Sequence, residues 1–148
     1  MSPVIRLPSW REVMDGPWAL RLRSGATGPW LMRGEAEAVP DLHCVFAAGV
    51  AARTQADALG ELRAAFAIEA EIGTWDELAR AVPPARTALL ILDSDKLLSE
   101  EPSQLAALVG ALKTASDRTG LRVVFQAREL PLEAEAVLAE FGVAEVAP

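Results

Sequence analysis

The chain holds one cysteine, Cys44, and one histidine, His43, among its 148 residues. A lone cysteine excludes an intramolecular disulfide and suits a reducing compartment. No apolar run approaches the roughly 20 residues that a membrane helix needs. The opening MSPVIRLPSW lacks the basic head and apolar stretch of a secretory leader. The expectation is a soluble, cytoplasmic protein that does not engage a membrane. Catalytic groups are scarce as well. The sequence contains no Gly-x-Gly-x-x-Gly, no P-loop and no metal-spaced His/Cys cluster. His43 and Cys44 are neighbours in an expected strand, where consecutive side chains point to opposite faces, so they cannot act as a Cys–His couple. No catalytic residue, cofactor or metal is expected, and binding is expected rather than catalysis.

What is present is ordinary globular material, 51% hydrophobic and 24% charged, in a length typical of one domain. The net charge of −7 is unevenly spread. Residues 1–40 carry five arginines against four acids, whereas residues 41–148 carry nine basic against seventeen acidic side chains. An acidic body repels nucleic acid and attracts basic partners.

Residues 1–40 contain Trp10, Trp18 and Trp30 but no long helical pattern. Alternation from Trp18 to Arg23, turn formers at Ser24-Gly25 and Thr27-Gly28-Pro29, and a second short run from Trp30 to Arg33 predict a β-hairpin. Residues 35–40 then read as a linker. His43 to Ala48 is a short apolar run and a strand candidate. Thr54 to Phe66 reads as a helix, with Thr54 and Asp57 at capping-box spacing. Thr74 and Glu77 form a second box, opening a short helix that Pro83-Pro84 ends. Thr87 to Leu92 (TALLIL) has the continuous apolarity of a strand buried on both faces. A long helix over 103–118 ends at Gly120. It is followed by a strand over 121–126, a helix over 132–141 and a tail. Strands alternating with helices predict an α/β fold with a mainly parallel sheet.

One pattern invites an enzymatic reading. The strand ending at Leu92 runs into Asp93-Ser94-Asp95, which is similar to the first motif of haloacid-dehalogenase-type phosphatases. There one aspartate is the nucleophile and a second projects beside Mg²⁺. Lys96-Leu97 depart from that motif, and no matching downstream acidic pair is evident. The simpler expectation is a polar turn leaving a central strand.

From Cys44 to Gln126 the order of elements resembles the barstar-like family of ribonuclease inhibitors. The resemblance rests on a strand, glycine turn and amphipathic helix over 44–66, on Gly73-Thr74-Trp75-Asp76-Glu77-Leu78, and on the strand, polar turn, long helix and strand over 88–125. It implies a small three-stranded parallel sheet with packed helices, to which the hairpin would be an N-terminal extension. The chain would then be one domain, with a β-rich segment over 1–40, a core over 41–126 and a C-terminal helix and tail over 127–148. The implied partner is a basic ribonuclease or nuclease toxin whose cleft the inhibitor plugs, and the implied free state is a monomer. The implied contact surface runs over 69–80 and includes Glu69, Glu71, Gly73, Trp75, Asp76, Glu77 and Arg80. Its four acids against one base give a net of −3.

Each of these residues also has a plainer role. Trp75 can be a core anchor and Gly73 a turn residue. Asp76 and Glu77 suit the first turn of any helix. Glu71 and Ile72 fall where the family has two tyrosines. Arg80 stands at the family's key inhibitory aspartate, and Thr114 near an acidic position. The resemblance therefore implies an inherited mode of binding with a different target. A non-ribonuclease partner on the same fold is the alternative.

Overall fold

The computed structural model describes residues 10–23 and 42–146. The elements are α1 (Trp10–Asp15), β1 (Ala19–Leu22), β2 (His43–Ala48), α2 (Gln55–Ala65), α3 (Trp75–Ala81), β3 (Thr87–Leu92), α4 (Leu105–Thr119), β4 (Arg122–Gln126), α5 (Leu132–Glu140) and β5 (Ala144–Val146). All strands are parallel and form one five-stranded sheet in the order β2-β3-β4-β1-β5. The α/β class read from the sequence holds.

Two expectations are corrected. The sheet has five strands, not three. The expected hairpin is also replaced: β1 pairs in parallel with β4 on one edge and β5 on the other. Among the described residues both edges of β1 are thus taken by parallel strands. The second expected arm, residues 30–33, and the linker 35–40 fall outside the described residues. Segments from both ends of the chain thus complete the sheet.

The error has a physical source. Alternation over Trp18–Arg23 suggested one solvated face, yet Ala19, Leu20, Arg21 and Leu22 are all buried. The polar member, Arg21, turns inward and meets Glu135 of α5 at 2.7 Å. Trp18 adds a bond from Nε1 to the Phe141 carbonyl, at 2.7 Å.

One face of the sheet presents Leu89, Ile91, Val123 and Phe125 to the apolar stripes of α2–α5, including Leu62, Leu78, Leu108 and Leu138. The opposite face presents Leu20, Leu22, Leu90 and Val124, packed with Val13 and Met14 of α1. β3 is buried along almost its whole length, as its unbroken apolar run requires.

The helix ends follow local chemistry. Thr54 accepts from the Asp57 amide, and Gly120 terminates α4 in the left-handed region at φ +81°. One glycine is demanded by space. A Cβ on Gly49 would lie 2.1 Å from the Asp93 carbonyl oxygen, so only glycine lets the chain leaving β2 pass the end of β3.

Candidate functional site

The segment over 66–74 links α2 to α3. Phe66 is buried at the end of α2, and Ala67 reverses the chain at φ +54°. Arg63 then straps the loop: its Nε donates to the Ile68 carbonyl at 3.2 Å and its Nη2 to the Glu69 carbonyl at 2.7 Å. A guanidinium offers several donors in a rigid fork, so one side chain holds two successive backbone acceptors.

At the start of α3 the Thr74 hydroxyl accepts from the Glu77 amide at 3.1 Å. The Glu77 carboxylate reaches back to the Gly73 amide at 3.4 Å and accepts from the Thr74 hydroxyl at 3.1 Å. This is a capping box displaced by one residue, since the usual target is the amide of the capping residue itself. Gly73 is not in the left-handed region, and an added Cβ would approach Glu77 Oε1 only to 3.7 Å. The turn therefore does not need a glycine, which corrects the role expected for Gly73.

Trp75 is half-buried against the main core, and its Nε1 donates to Gln104 Oε1 at 3.0 Å. That makes it an anchor for α3, as the plainer reading expected. Leu78, Ala79 and Val82 are buried behind it. The far end of α3 is held by Arg118, whose Nη2 donates to the carbonyls of Ala79 and Val82 at 2.9 and 2.7 Å.

Glu69, Glu71, Asp76, Glu77 and Arg80 are exposed. Among the described residues none of them forms an ion pair. Trp75 and Asp76 line an open depression of about 570 Å³ between α3 and α4, with Gln55, Lys113 and Thr114 on its other walls. Thr114, singled out in sequence for its place near a family acid, thus faces the same hollow as Asp76. Glu69, Glu71, Gly73, Glu77 and Arg80 do not line it. Gln55 and Lys113 were not visible as site residues in sequence, because only the packing of α3 on α4 brings them there.

The Asp93 motif occupies a different place, at the carboxyl end of β3. Asp93 is exposed in the left-handed region (φ +49°, ψ +52°) and its amide donates to Gln126 Oε1 at 2.9 Å. Asp93, Asp95, Arg128 and Glu129 line a depression of about 600 Å³. Among the described residues no group of three or more His, Cys, Asp and Glu is placed to hold a metal ion. His43 is exposed at the start of β2, and Cys44 is half-buried, where burial pushes its thiol up. Among the described residues no helix is long and apolar enough to cross a membrane.

No protein-family model matches this sequence, and no curated protein matches it.

Proposed function

We propose that this chain is a barstar-like inhibitor or immunity protein. Its loop over 69–74 and helix α3 would bind the basic active-site cleft of a ribonuclease toxin. The observation that carries the proposal is a set of unspent charges. Glu69, Glu71 and Asp76 are exposed along one short segment, and no described cation pairs with them. Their backbone is held by Arg63 on one side and by the Thr74–Glu77 cap on the other. A backbone held in place before association loses little freedom on binding. A ribonuclease cleft is basic because it receives phosphate, so such carboxylates can steer the encounter and then occupy the cleft. The depression beside Asp76 offers a recess for a protruding side chain of the partner.

One feature favours a second reading, in which this chain keeps the same fold as an interaction or regulatory module whose partner is not a ribonuclease. Arg80 is exposed and positively charged one turn beyond Asp76, so the surface is not uniformly acidic.

Co-expression with candidate nuclease toxins, beginning with any encoded beside this chain's gene, tests the proposal. Restored growth together with a stable complex supports it. Continued toxicity with no complex, across neighbouring nucleases, sinks it and leaves the second reading.

A further inference from the structure

A cavity of about 240 Å³ lies between the end of β1, α5 and β5, apart from the proposed inhibitory surface. Its walls include Arg21, Arg23, Glu135, Leu138, Val143 and Glu145. In the sheet order β2-β3-β4-β1-β5 the chain runs from β4 to β5 past β1, and from β1 to β2 past β4 and β3. The winding therefore reverses between β4 and β1. Open parallel sheets receive ligands outside the carboxyl ends of their strands at such a reversal.

Arg21 gives this cavity its chemistry. Its side chain is 6% exposed, and Nη1 is engaged by Glu135 at 2.7 Å. Nε and Nη2 are buried and have no partner among the described residues. These two nitrogens form one edge of the planar guanidinium, whose parallel N–H bonds match the two oxygens of a carboxylate or phosphate. Buried donors left unpaired cost stability. Shielding from water strengthens any bond they make.

The rest of the lining selects among oxyanions. Arg23 donates from Nε to Glu145 at 2.7 Å, and its Nη2 lies 3.7 Å from Glu135. Two cations are thus balanced by two carboxylates, so the second charge of a dianion would meet repulsion without a spare cation. Leu138 and Val143 add an apolar wall. The volume is below the roughly 300–1,000 Å³ of drug-sized pockets, which limits the occupant to a few carbons. We infer that this cavity binds a small monocarboxylate, with its two oxygens on Nε and Nη2 of Arg21 and its short apolar body against Leu138 and Val143. Arg23, Glu135 and Glu145 are partly exposed, so their side chains swing aside to admit it to the buried fork. The inference does not depend on the ribonuclease proposal.

Isothermal titration calorimetry of the full chain with isobutyrate tests it, with thermal melts to confirm that each variant folds. The wild type is expected to bind with a dissociation constant of about 1 mM, within reach of so small a ligand. Isobutyramide, the same body without the charge, and inorganic phosphate should each bind at least about tenfold more weakly. Arg21→Met should weaken isobutyrate at least about tenfold. Arg53→Met, at an exposed arginine that does not line the cavity, should leave it unchanged. In the wild type the Nε–H resonance of Arg21 should move with the same midpoint, a readout that needs no variant. Isobutyrate that fails to bind at about 10 mM, tenfold above the expected constant, overturns the inference. So does binding that isobutyramide equals, that Arg21→Met leaves intact or that Arg53→Met weakens as much. Phosphate binding more tightly than isobutyrate, or an Arg21 resonance that stays still, overturns it as well.

Discussion

Nη1 of Arg21 lies 2.7 Å from Oε1 of Glu135, joining the strand contributed by the N-terminal segment to helix α5. Arg21 is 6% exposed at its side chain, and its Nε and Nη2 have no partner among the described residues. A buried cation with unsatisfied donors is costly, and removing the carboxylate it meets makes it costlier. Glu135→Ala should therefore lower stability by about 1–3 kcal/mol, less than for a fully buried pair because Glu135 is 36% exposed. Arg21→Met, which removes the charge and keeps the bulk, should cost less than Glu135→Ala or even stabilise. Urea denaturation of both variants gives the order; the reverse order would mean that the ion pair is a net source of stability.

Two glycines should respond in opposite ways. Gly49→Ala drives a Cβ to 2.1 Å from the Asp93 carbonyl oxygen, a backbone atom that cannot step aside. A loss of about 2–4 kcal/mol is expected, in the range of severe overpacking. Gly73→Ala meets only Glu77 Oε1 at 3.7 Å and should change stability by no more than about 0.5 kcal/mol. Thermal melts of the two variants separate them.

If the acidic loop steers a basic partner, reversing its charge should act on association. Glu69→Lys, Glu71→Lys and Asp76→Lys together should slow association about 10–100-fold and flatten its dependence on salt. The side chains are exposed and form no ion pair among the described residues, so the melting temperature should fall only slightly, through the loss of Asp76 from the first turn of α3. Stopped-flow mixing with the captured nuclease at two ionic strengths reads this directly, and an unchanged rate would remove these residues from the interface.

Cys44 gives a pH-dependent signal. Burial pushes its thiol up from the ordinary value, because the thiolate is disfavoured away from water. The neutral thiol therefore supports the fold fully below the ordinary thiol range, and that contribution is lost as pH rises through the raised folded value. Alkylation of the native chain should lag behind that of the unfolded chain at pH 8 and accelerate toward alkaline pH. Timed labelling followed by mass measurement detects it; equal rates in native and unfolded chains would contradict it.

The depression at the end of β3 provides a check from another direction. With inhibition as the function, Asp93→Asn should leave Mg²⁺-dependent phosphate release from a small aryl phosphate no different from the wild type. A wild-type rate that disappears in Asp93→Asn would move the function to Asp93 and Asp95.

Much of this protein is local and could be read along the chain. TALLIL had to be a strand buried on both faces, because the five successive apolar residues after Thr87 leave no side for water. Thr54, Thr74 and Gly120 mark helix ends because their chemistry acts within a few residues of itself. Tertiary structure decided what depends on partners far away. β1 looked like a hairpin arm until Arg21 found Glu135, 114 residues on, and β5 is too short to announce itself without β1 beside it. Likewise, Asp76 was visible as an acid in sequence. Its shared hollow with Gln55, Lys113 and Thr114 exists only because α3 packs on α4. Caps and apolar runs act through the nearest residues, which the sequence lists in order; strand neighbours and site walls are chosen by packing, which brings together residues that the sequence keeps apart.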